Sequence, residues 1–351
     1  MKRTKTRKIR VGSITIGGDN HVVIQSMCNI KTEKVDEVVK QILLMEKEGL
    51  ELIRVSVLDM KDAKAISEIK KFIHVPLIAD IHYDYRLAIA SIESGADKIR
   101  LNPGNLKNED EINKIIDKCK EYNIPIRIGV NSGSIEQNLI DINKKVDAQM
   151  MLNSLDNYIK IFEKRGFDNL ILALKSSDPL LTLEAYKKAS EKYDYPLHIG
   201  VTESSYKDIG LIRSCVGLVP LLLDGIGNTL RISLSDSPIE EVRSSKRLLK
   251  ELKLYESYHT LISCPMCGRA NANIMALSRK VDKFLQKTKL NITVAIMGCV
   301  VNGIGEGKQA DIGFAFNNIN TCTMFVKGNI IGTCHPEEVI YKLKEFTKRY
   351  K

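Results

Sequence analysis

The sequence contains no tryptophan, and its aromatic residues amount to only 6%. That leaves no aromatic platform on which nucleic-acid bases could stack, and no RNA-binding signature is present. No apolar run reaches the roughly 18 residues that a membrane span requires. The basic start, Met1 to Arg10, leads into Val11-Gly-Ser-Ile-Thr-Ile16, which alternates as a strand does and lacks the continuous apolar stretch of an export signal. The expectation is a cytoplasmic protein with no membrane and no nucleic-acid partner. A second CxxC pair is missing, as is the CxxxCxxC run of radical-type cluster enzymes. Internal repeats and low-complexity tracts are also absent.

What is present is a chain of 351 residues, long enough for two domains with substantial cores. The formal charge of +10 comes mainly from lysines interleaved with glutamates, as in 61–71 and 342–351, which read as solvated helix faces. Apolar β-type runs at 22–27, 52–57, 77–81, 98–101, 124–130, 170–174, 197–201 and 230–234 alternate with amphipathic helical stretches. Eight such units predict an α/β fold, a (β/α)8 TIM-type barrel over 1–259. A doubly wound sheet is the rival, but Gln25-Ser-Met-Cys28-Asn after the first strand is no glycine-rich dinucleotide turn. Beyond residue 260 the pattern becomes helix 272–287, strand 292–296, a glycine-rich loop, strand 311–316, a hairpin at Lys327-Gly-Asn329 and helix 336–350. This predicts a small α+β domain over 260–351.

The barrel strands carry polar residues at a spacing of two: Arg54 and Ser56, Asp80 and His82, Arg100 and Asn102, Arg231 and Ser233. Arg127 and Asn131 stand four apart, Lys175 ends the sixth strand, and Glu203 follows the seventh. Period-two alternation turns each pair to one face while the apolar neighbours face the helices. Inward polar groups at the C-terminal strand ends line the mouth where barrel enzymes work. Four arginines and a lysine there would repel one another unless a polyanion or carboxylates joined them, and the guanidinium fork suits phosphate. The loops Asn102-Pro-Gly104-Asn105, Asn131-Ser-Gly133-Ser134 and Gly225-Ile-Gly227-Asn228 add backbone donors. A phosphorylated, diphosphate-bearing substrate is predicted. The competing reading is a structural ion network with Asp80, Glu203 and Asp224.

Cys264-Pro-Met-Cys267-Gly-Arg269 and Met297-Gly-Cys299-Val-Val-Asn302-Gly303-Ile-Gly305-Glu306 supply three thiols and a carboxylate among glycines. Thiolates select zinc or iron–sulfur clusters, and three of them leave one position open or held by an oxygen. Cys264 and Cys267 could instead be half of a zinc ribbon completed by Cys322 and Cys334. Cys119, Cys215, Cys322 and Cys334 otherwise read as ordinary core residues.

The stretches IRVSV around Arg54, ADIHYDYR from Ala79, RLNPGN from Arg100, RIGVNSGS from Arg127 and TLRISL around Arg231, with CPMCGR and MGCVVNGIGE, make a combined pattern. With it the chain resembles, nearly end to end, the bacterial 4-hydroxy-3-methylbut-2-enyl diphosphate synthase family of the methylerythritol phosphate isoprenoid pathway. The resemblance implies one [4Fe–4S] cluster per chain, held by Cys264, Cys267 and Cys299 with Glu306 as a fourth, exchangeable ligand. It implies reductive ring opening and dehydroxylation of 2-C-methyl-D-erythritol 2,4-cyclodiphosphate, with electrons from ferredoxin or flavodoxin. It also implies a homodimer in which one subunit's cluster domain caps its partner's barrel. On this reading Arg54, Arg100, Arg127, Lys175 and Arg231 neutralise the diphosphate, and Asn102, Asn131, Ser134 and Ser233 orient it. Glu203, His82 and Asp80 are the candidates for proton delivery or hydroxyl positioning. Two positions depart from the family's habit: Ile304 stands for a common proline and is expected to loosen the turn, and Cys28 stands for a threonine and is expected to be open to oxidation.

Overall fold

A computed structural model describes residues 3–102, 108–135, 145–256 and 258–349. By internal contacts the chain divides into two compact units, Met1–Leu254 and Tyr255–Lys351.

The first unit opens with a hairpin, β1 (Ile9–Val11) and β2 (Ile14–Ile16), so the strand expected at 11–16 folds back at Gly12-Ser13. Its Ile9, Val11 and Ile16 pack with Val23, Leu52, Ile78 and Ile171 and close the bottom of a barrel. The barrel strands are β3 (Val23–Met27), β4 (Leu52–Val57), β5 (Leu77–Ile81), β6 (Lys98–Leu101), β7 (Ile126–Asn131), β8 (Leu170–Lys175), β9 (His198–Ile199) and β10 (Thr229–Leu230). All pair in parallel in the order β8-β7-β6-β5-β4-β3-β10-β9, and a bridge between Leu172 and Leu197 joins the two ends. The expected (β/α)8 barrel is therefore the observed fold of this unit.

Helices α1 (Val35–Glu48), α2 (Met60–Lys70), α3 (Tyr85–Glu93), α4 (Glu109–Tyr122), α5 (Ala148–Lys164), α6 (Pro179–Lys192), α7 (Lys207–Leu223) and α8 (Pro238–Glu251) follow the strands in turn. The starts of most are written in the sequence: Asp59, Asp84, Asn108, Asp147, Asp178 and Ser237 each accept backbone N–H groups of the following helix. Proline at the first position of α6 and α8 is pre-set for a helical start.

Strands β9 and β10 are shorter than the runs 197–201 and 230–234 suggest. Past them the backbone serves the site instead of the ladder, and the Leu234 amide donates to the Glu241 carboxylate at 3.1 Å.

The strand registers, with the one-residue stagger per strand of an eight-stranded barrel, stack the inward side chains in layers of four from alternate strands. Leu52, Lys98, Ile171 and Thr229 form a lower layer, and Gln25, Ile78, Arg127 and His198 form the next. Above them come Arg54, Arg100, Ala173 and Arg231, then Met27, Asp80, Gly129 and Gly200. Apolar filling ends in the lower layers. Ala173, Gly129 and Gly200 then leave the upper barrel open for the arginine heads.

The second unit is a five-stranded sheet in sequential order: β11 (Thr260–Ser263), β12 (Thr293–Met297), β13 (Ile312–Asn318), β14 (Thr321–Val326) and β15 (Asn329–Cys334). The first three are parallel and the last two pairings antiparallel. Helices α9 (Ile274–Thr288) and α11 (Val339–Lys348) cover one face, where Val281, Leu285 and Leu343 meet Val294, Ile296 and Phe314. The opposite face, with Ala295, Met297, Ala315 and Phe325, is covered by α10 (Val300–Glu306).

That short helix replaces the glycine-rich loop expected after Cys299. Its glycines serve close packing: a Cβ on Gly303 would lie 2.8 Å from the Met297 Cβ and 3.2 Å from that of Ala315. Ile304 packs into the same apolar cluster, so at this position it anchors the helix instead of loosening a turn.

Candidate functional site

In the barrel mouth, Arg54, Asp80, His82, Arg100, Arg127, Asn131, Lys175, Arg231 and Ser233 line one cavity of about 190 Å³, with Gly129, Ala173 and Thr202. Five basic side chains thus face a single lining carboxylate. Asp80 sits between Arg54 and Arg100, with contacts of 3.5 and 3.0 Å, and His82 lies 3.7 Å away. Burial alone would raise its pKa. Arg54 and Arg100, with the His82 hydrogen bond and Arg127, outweigh burial and hold the carboxyl well below its usual range.

Arg231 is held by Glu241, whose carboxylate accepts from its Nε at 3.1 Å and its Nη2 at 3.0 Å. Ser26 donates to the same carboxylate at 2.7 Å. Met27 accepts from the Arg54 Nε and Nη2 through sulfur at 3.1 and 2.9 Å. These contacts aim both guanidinium groups at the cavity.

The cations are under-compensated. Arg127 is 2% exposed, and its Nε and Nη1 have no hydrogen-bond partner among the described residues; the same holds for Arg100 Nε and for the fully buried Lys98 Nζ. Burial first, then the neighbouring Arg54 and Arg100, pushes the Arg127 guanidinium well below its ordinary value. Such a field lowers the cost of binding a polyanion, because the desolvation of the cations has been met by folding.

Not every expected residue reaches the cavity. Glu203 is exposed on the loop after β9, with φ of 51°, and does not line it. Asn102 is buried at the end of β6 without lining it, and Pro103, Gly104 and Asn105 lie outside the described residues. Ser134 closes a 3-10 turn (Ser132–Ser134), and its side chain also lies outside them.

The imagined network with Asp80, Glu203 and Asp224 is present only at Asp80. Asp224 pairs with Lys187 at 2.9 Å. Cys28 is 5% exposed, and burial raises its thiol to about 12 even against Arg231, which is the opposite of the exposed, low-pKa thiolate that oxidants attack.

The pattern in the sequence missed Glu241, which reads as an ordinary acid in a helix first turn. It also missed Lys98 and His198, although Lys98 shares the parity of Arg100 and Asn102. A larger open groove of about 660 Å³ runs beside the N-terminal hairpin. Its Arg7 is already paired with Asp168 and Asp194, and its Asp97 with Lys70, so it offers a weaker field than the mouth.

In the second unit Cys264, Cys267, Cys299 and Glu306 surround one space of about 240 Å³, with Pro265, Arg269, Met297, Asn302 and Gly303. Cys264 directly follows β11, Cys299 caps the start of α10, and Glu306 is the last residue of that helix. Asn302 and Glu306, four apart, share a helix face. The Gly298 amide donates to the Cys264 sulfur at 3.1 Å. The Cys267 thiol is exposed and held below its ordinary pKa by the backbone N–H and guanidinium of Arg269.

Among the described residues no group of three His, Cys, Asp or Glu side chains stands as a ready-made metal site. Three soft thiolates and a carboxylate spread round a volume of this size fit a polynuclear iron–sulfur centre. Cys322 and Cys334 are not available to a zinc ribbon. They face each other across β14 and β15, with sulfurs 3.3 Å apart inside the apolar core.

Residues 6–246 match the family model described as the GcpE TIM-barrel domain, and residues 260–349 that of the GcpE protein C-terminal domain. A protein of Malacoplasma penetrans is 46% identical over 343 residues, covering 98% of this chain and 94% of its own. One of Caldanaerobacter subterraneus subsp. tengcongensis is 45% identical over 350 residues, covering 99% and 98%. Both are named 4-hydroxy-3-methylbut-2-en-1-yl diphosphate synthase (flavodoxin). Among solved structures, dihydropteroate synthase of Stenotrophomonas maltophilia superposes with a TM-score of 0.53 at 15% identity, over 71% of this chain and 97% of that one. At that identity the likeness concerns the barrel fold alone.

Proposed function

This chain belongs to the GcpE family, and from that premise we propose that it makes 4-hydroxy-3-methylbut-2-en-1-yl diphosphate with electrons from flavodoxin, as its relatives' names state. It is an iron–sulfur oxidoreductase of isoprenoid precursor synthesis. Its substrate, 2-C-methyl-D-erythritol 2,4-cyclodiphosphate, is opened and loses a hydroxyl on two-electron reduction. The observation that carries this reading is the donor set of the second unit, three thiolates and a carboxylate around one space, in a chain whose barrel mouth gathers five basic side chains.

Cys264, Cys267, Cys299 and Glu306 are the residues that would hold a [4Fe–4S] cluster. Bound there, it supplies electrons one at a time together with a Lewis-acidic iron. In the barrel, Arg54, Arg100, Arg127, Lys175 and Arg231 neutralise the diphosphate. Arg54 and Arg231 are pre-aimed by Met27 and Glu241, so little side-chain ordering remains to be paid on binding. Asn131 and Ser233 contribute hydrogen bonds from the rim, with Asn102 and Ser134 at the adjoining strand ends. The same cationic field stabilises the phosphate oxygen released when the ring C–O bond breaks.

Asp80, locked as an anion, positions Arg54, Arg100 and His82 and is a poor proton donor. His82, half-buried and 3.5 Å from Arg100, lines the cavity and would pass a proton to the departing hydroxyl, and Glu203 would reach it from the rim loop. A homodimer in which each cluster unit caps the partner's barrel would exclude water during turnover.

The test is anaerobic purification, iron and sulfide assay, and EPR of the reduced protein with and without the cyclodiphosphate. About four iron and four sulfide per chain, with a substrate-altered signal, are expected. Each of the alanine variants at Cys264, Cys267 and Cys299 should lose them. Zinc without sulfide after anaerobic reconstitution would overturn the reading. For capping, mixed dimers of barrel-dead and cluster-dead subunits should regain activity, and their failure to do so would exclude it.

A further inference from the structure

Beneath the cavity lie two nitrogen bases in contact. The Lys175 Nζ is 3.1 Å from His198 Nε2, and His198 Nδ1 is 2.6 Å from the Thr229 hydroxyl. His198 is completely buried and Lys175 is 8% exposed. By register Lys175 starts three layers above His198. Its head comes down past Gly200, where a Cβ would stand 2.9 Å from the Nζ. Lys175 also lines the cavity, so a small rotation of its flexible stem carries the amine from the imidazole to whatever occupies the mouth.

A nitrogen-to-nitrogen contact of this length holds one hydrogen along its line. If amine and imidazole were both fully protonated, N–H would face N–H and the contact would break. The surroundings favour the lower charge. Arg54, Arg100, Arg127, Arg231 and Lys98 act on the pair from β4, β6, β7 and the segment after β10, while the carboxylates Asp80 and Glu241 lie against the arginines. Tyr186 of α6 donates its hydroxyl to the His198 carbonyl at 2.5 Å and adds no charge. Burial first, then Arg127 and Arg54, lowers the Lys175 pKa well below its ordinary value; burial, then Lys175 and Arg127, does the same for His198.

We propose that Lys175 rests on His198 in the empty cavity, then takes up a proton from solvent and turns to the phosphate oxygens when the diphosphate enters. This rests on the substrate reading above and gives His198 a role as the positioning residue for Lys175. The proton goes to the Nζ lone pair, and no other bond forms or breaks. A cyclic diphosphate carries one strongly acidic hydroxyl on each phosphorus, so the ligand itself takes up nothing near neutrality. Affinity therefore falls as pH rises, because the proton that accompanies binding becomes scarcer.

The experiment is calorimetric titration of the iron-loaded full chain with 2-C-methyl-D-erythritol 2,4-cyclodiphosphate in PIPES, HEPES and Tris, the three buffers compared at each of several pH values. The slope of observed heat against buffer ionisation enthalpy counts the protons taken up. Wild type should take up on the order of one proton per ligand bound. Lys175→Arg, a cation that cannot give up its charge, should still bind but with a slope near zero. His198→Gln should shift the pH range over which uptake occurs while cluster content stays unchanged. Binding heat identical in all three buffers, or Lys175→Arg keeping the wild-type slope, would overturn the proposal and leave the substrate assignment standing. No binding in any buffer would overturn that assignment, and this proposal with it.

Discussion

Glu241 offers the sharpest test of how the barrel mouth is built. Its side chain is 3% exposed and accepts four hydrogen bonds, from Ser26 Oγ, Arg231 Nε, Arg231 Nη2 and the Leu234 amide. Replacing it by alanine leaves Arg231, itself only 15% exposed, without its counter-charge. Removing one partner of a buried pair costs about 3–5 kcal/mol. The Ser26 hydroxyl and Leu234 amide add to that where water cannot reach them, each by about 1–3 kcal/mol. The pair term alone, near 4 kcal/mol, lowers Tm by roughly 8–16 °C in a unit of this size, at about 2–4 °C per kcal/mol, and the two stranded donors deepen the fall.

Differential scanning calorimetry of the iron-loaded chain reads this directly. Glu241→Gln, which keeps an acceptor and loses the charge, should fall between the two. The double variant Glu241→Ala, Arg231→Met should recover about 1.5 kcal/mol or more, because the stranded cation is gone. A Glu241→Ala protein melting within about 2 °C of wild type would refute the reasoning: Arg231 would then owe its position to something else.

Arg127 should behave in the opposite way. Arg127→Met removes a buried charge with orphaned nitrogens, so the ligand-free protein gains about 1–4 kcal/mol in thermal unfolding while KM for the cyclodiphosphate rises at least tenfold; no gain in Tm would mean that the charge is compensated. Asp80 has a folded pKa below its unfolded value of about 3.9. Its stabilising contribution is therefore fully present above that pH and is lost as pH falls below about 4 toward the folded value. The Tm difference between wild type and Asp80→Asn should be constant from neutrality down to that point and then shrink; a difference that shrinks already near neutrality would contradict the ion triad. Gly200→Ala would place a Cβ 2.7 Å from the Arg231 carbonyl oxygen and 2.9 Å from the Lys175 Nζ. Steady-state kinetics should show kcat/KM falling more than tenfold at unchanged iron content, and wild-type kinetics would show that the layer has slack.

Much of the fold was legible because its signals are local. Strand parity separates Arg54 from Val55 and Arg100 from Leu101, and Asp59, Asp84, Asp147 and Asp178 announce where four of the helices start. Local signals failed where one residue type serves two purposes. Gly303 reads as a turn former, yet here it lets α10 lie flat on Met297 and Ala315. The runs at 197–201 and 230–234 have strand character, yet their ends turn away because backbone and side chains there build the cavity wall.

By itself, then, the sequence determined the barrel, the face on which the arginines lie, and the three cysteines proposed as thiolate donors, since period-two alternation and ligand chemistry act over a few residues. Only the tertiary structure decided which charges compensate which. Glu241 comes to Arg231 from a helix ten residues away, Met27 to Arg54 from the neighbouring strand, and His198 to Lys175 across a gap left by Gly200. Electrostatic compensation depends on distances of a few ångströms between residues far apart in the chain. Those distances follow from barrel closure and stagger, which no local pattern encodes.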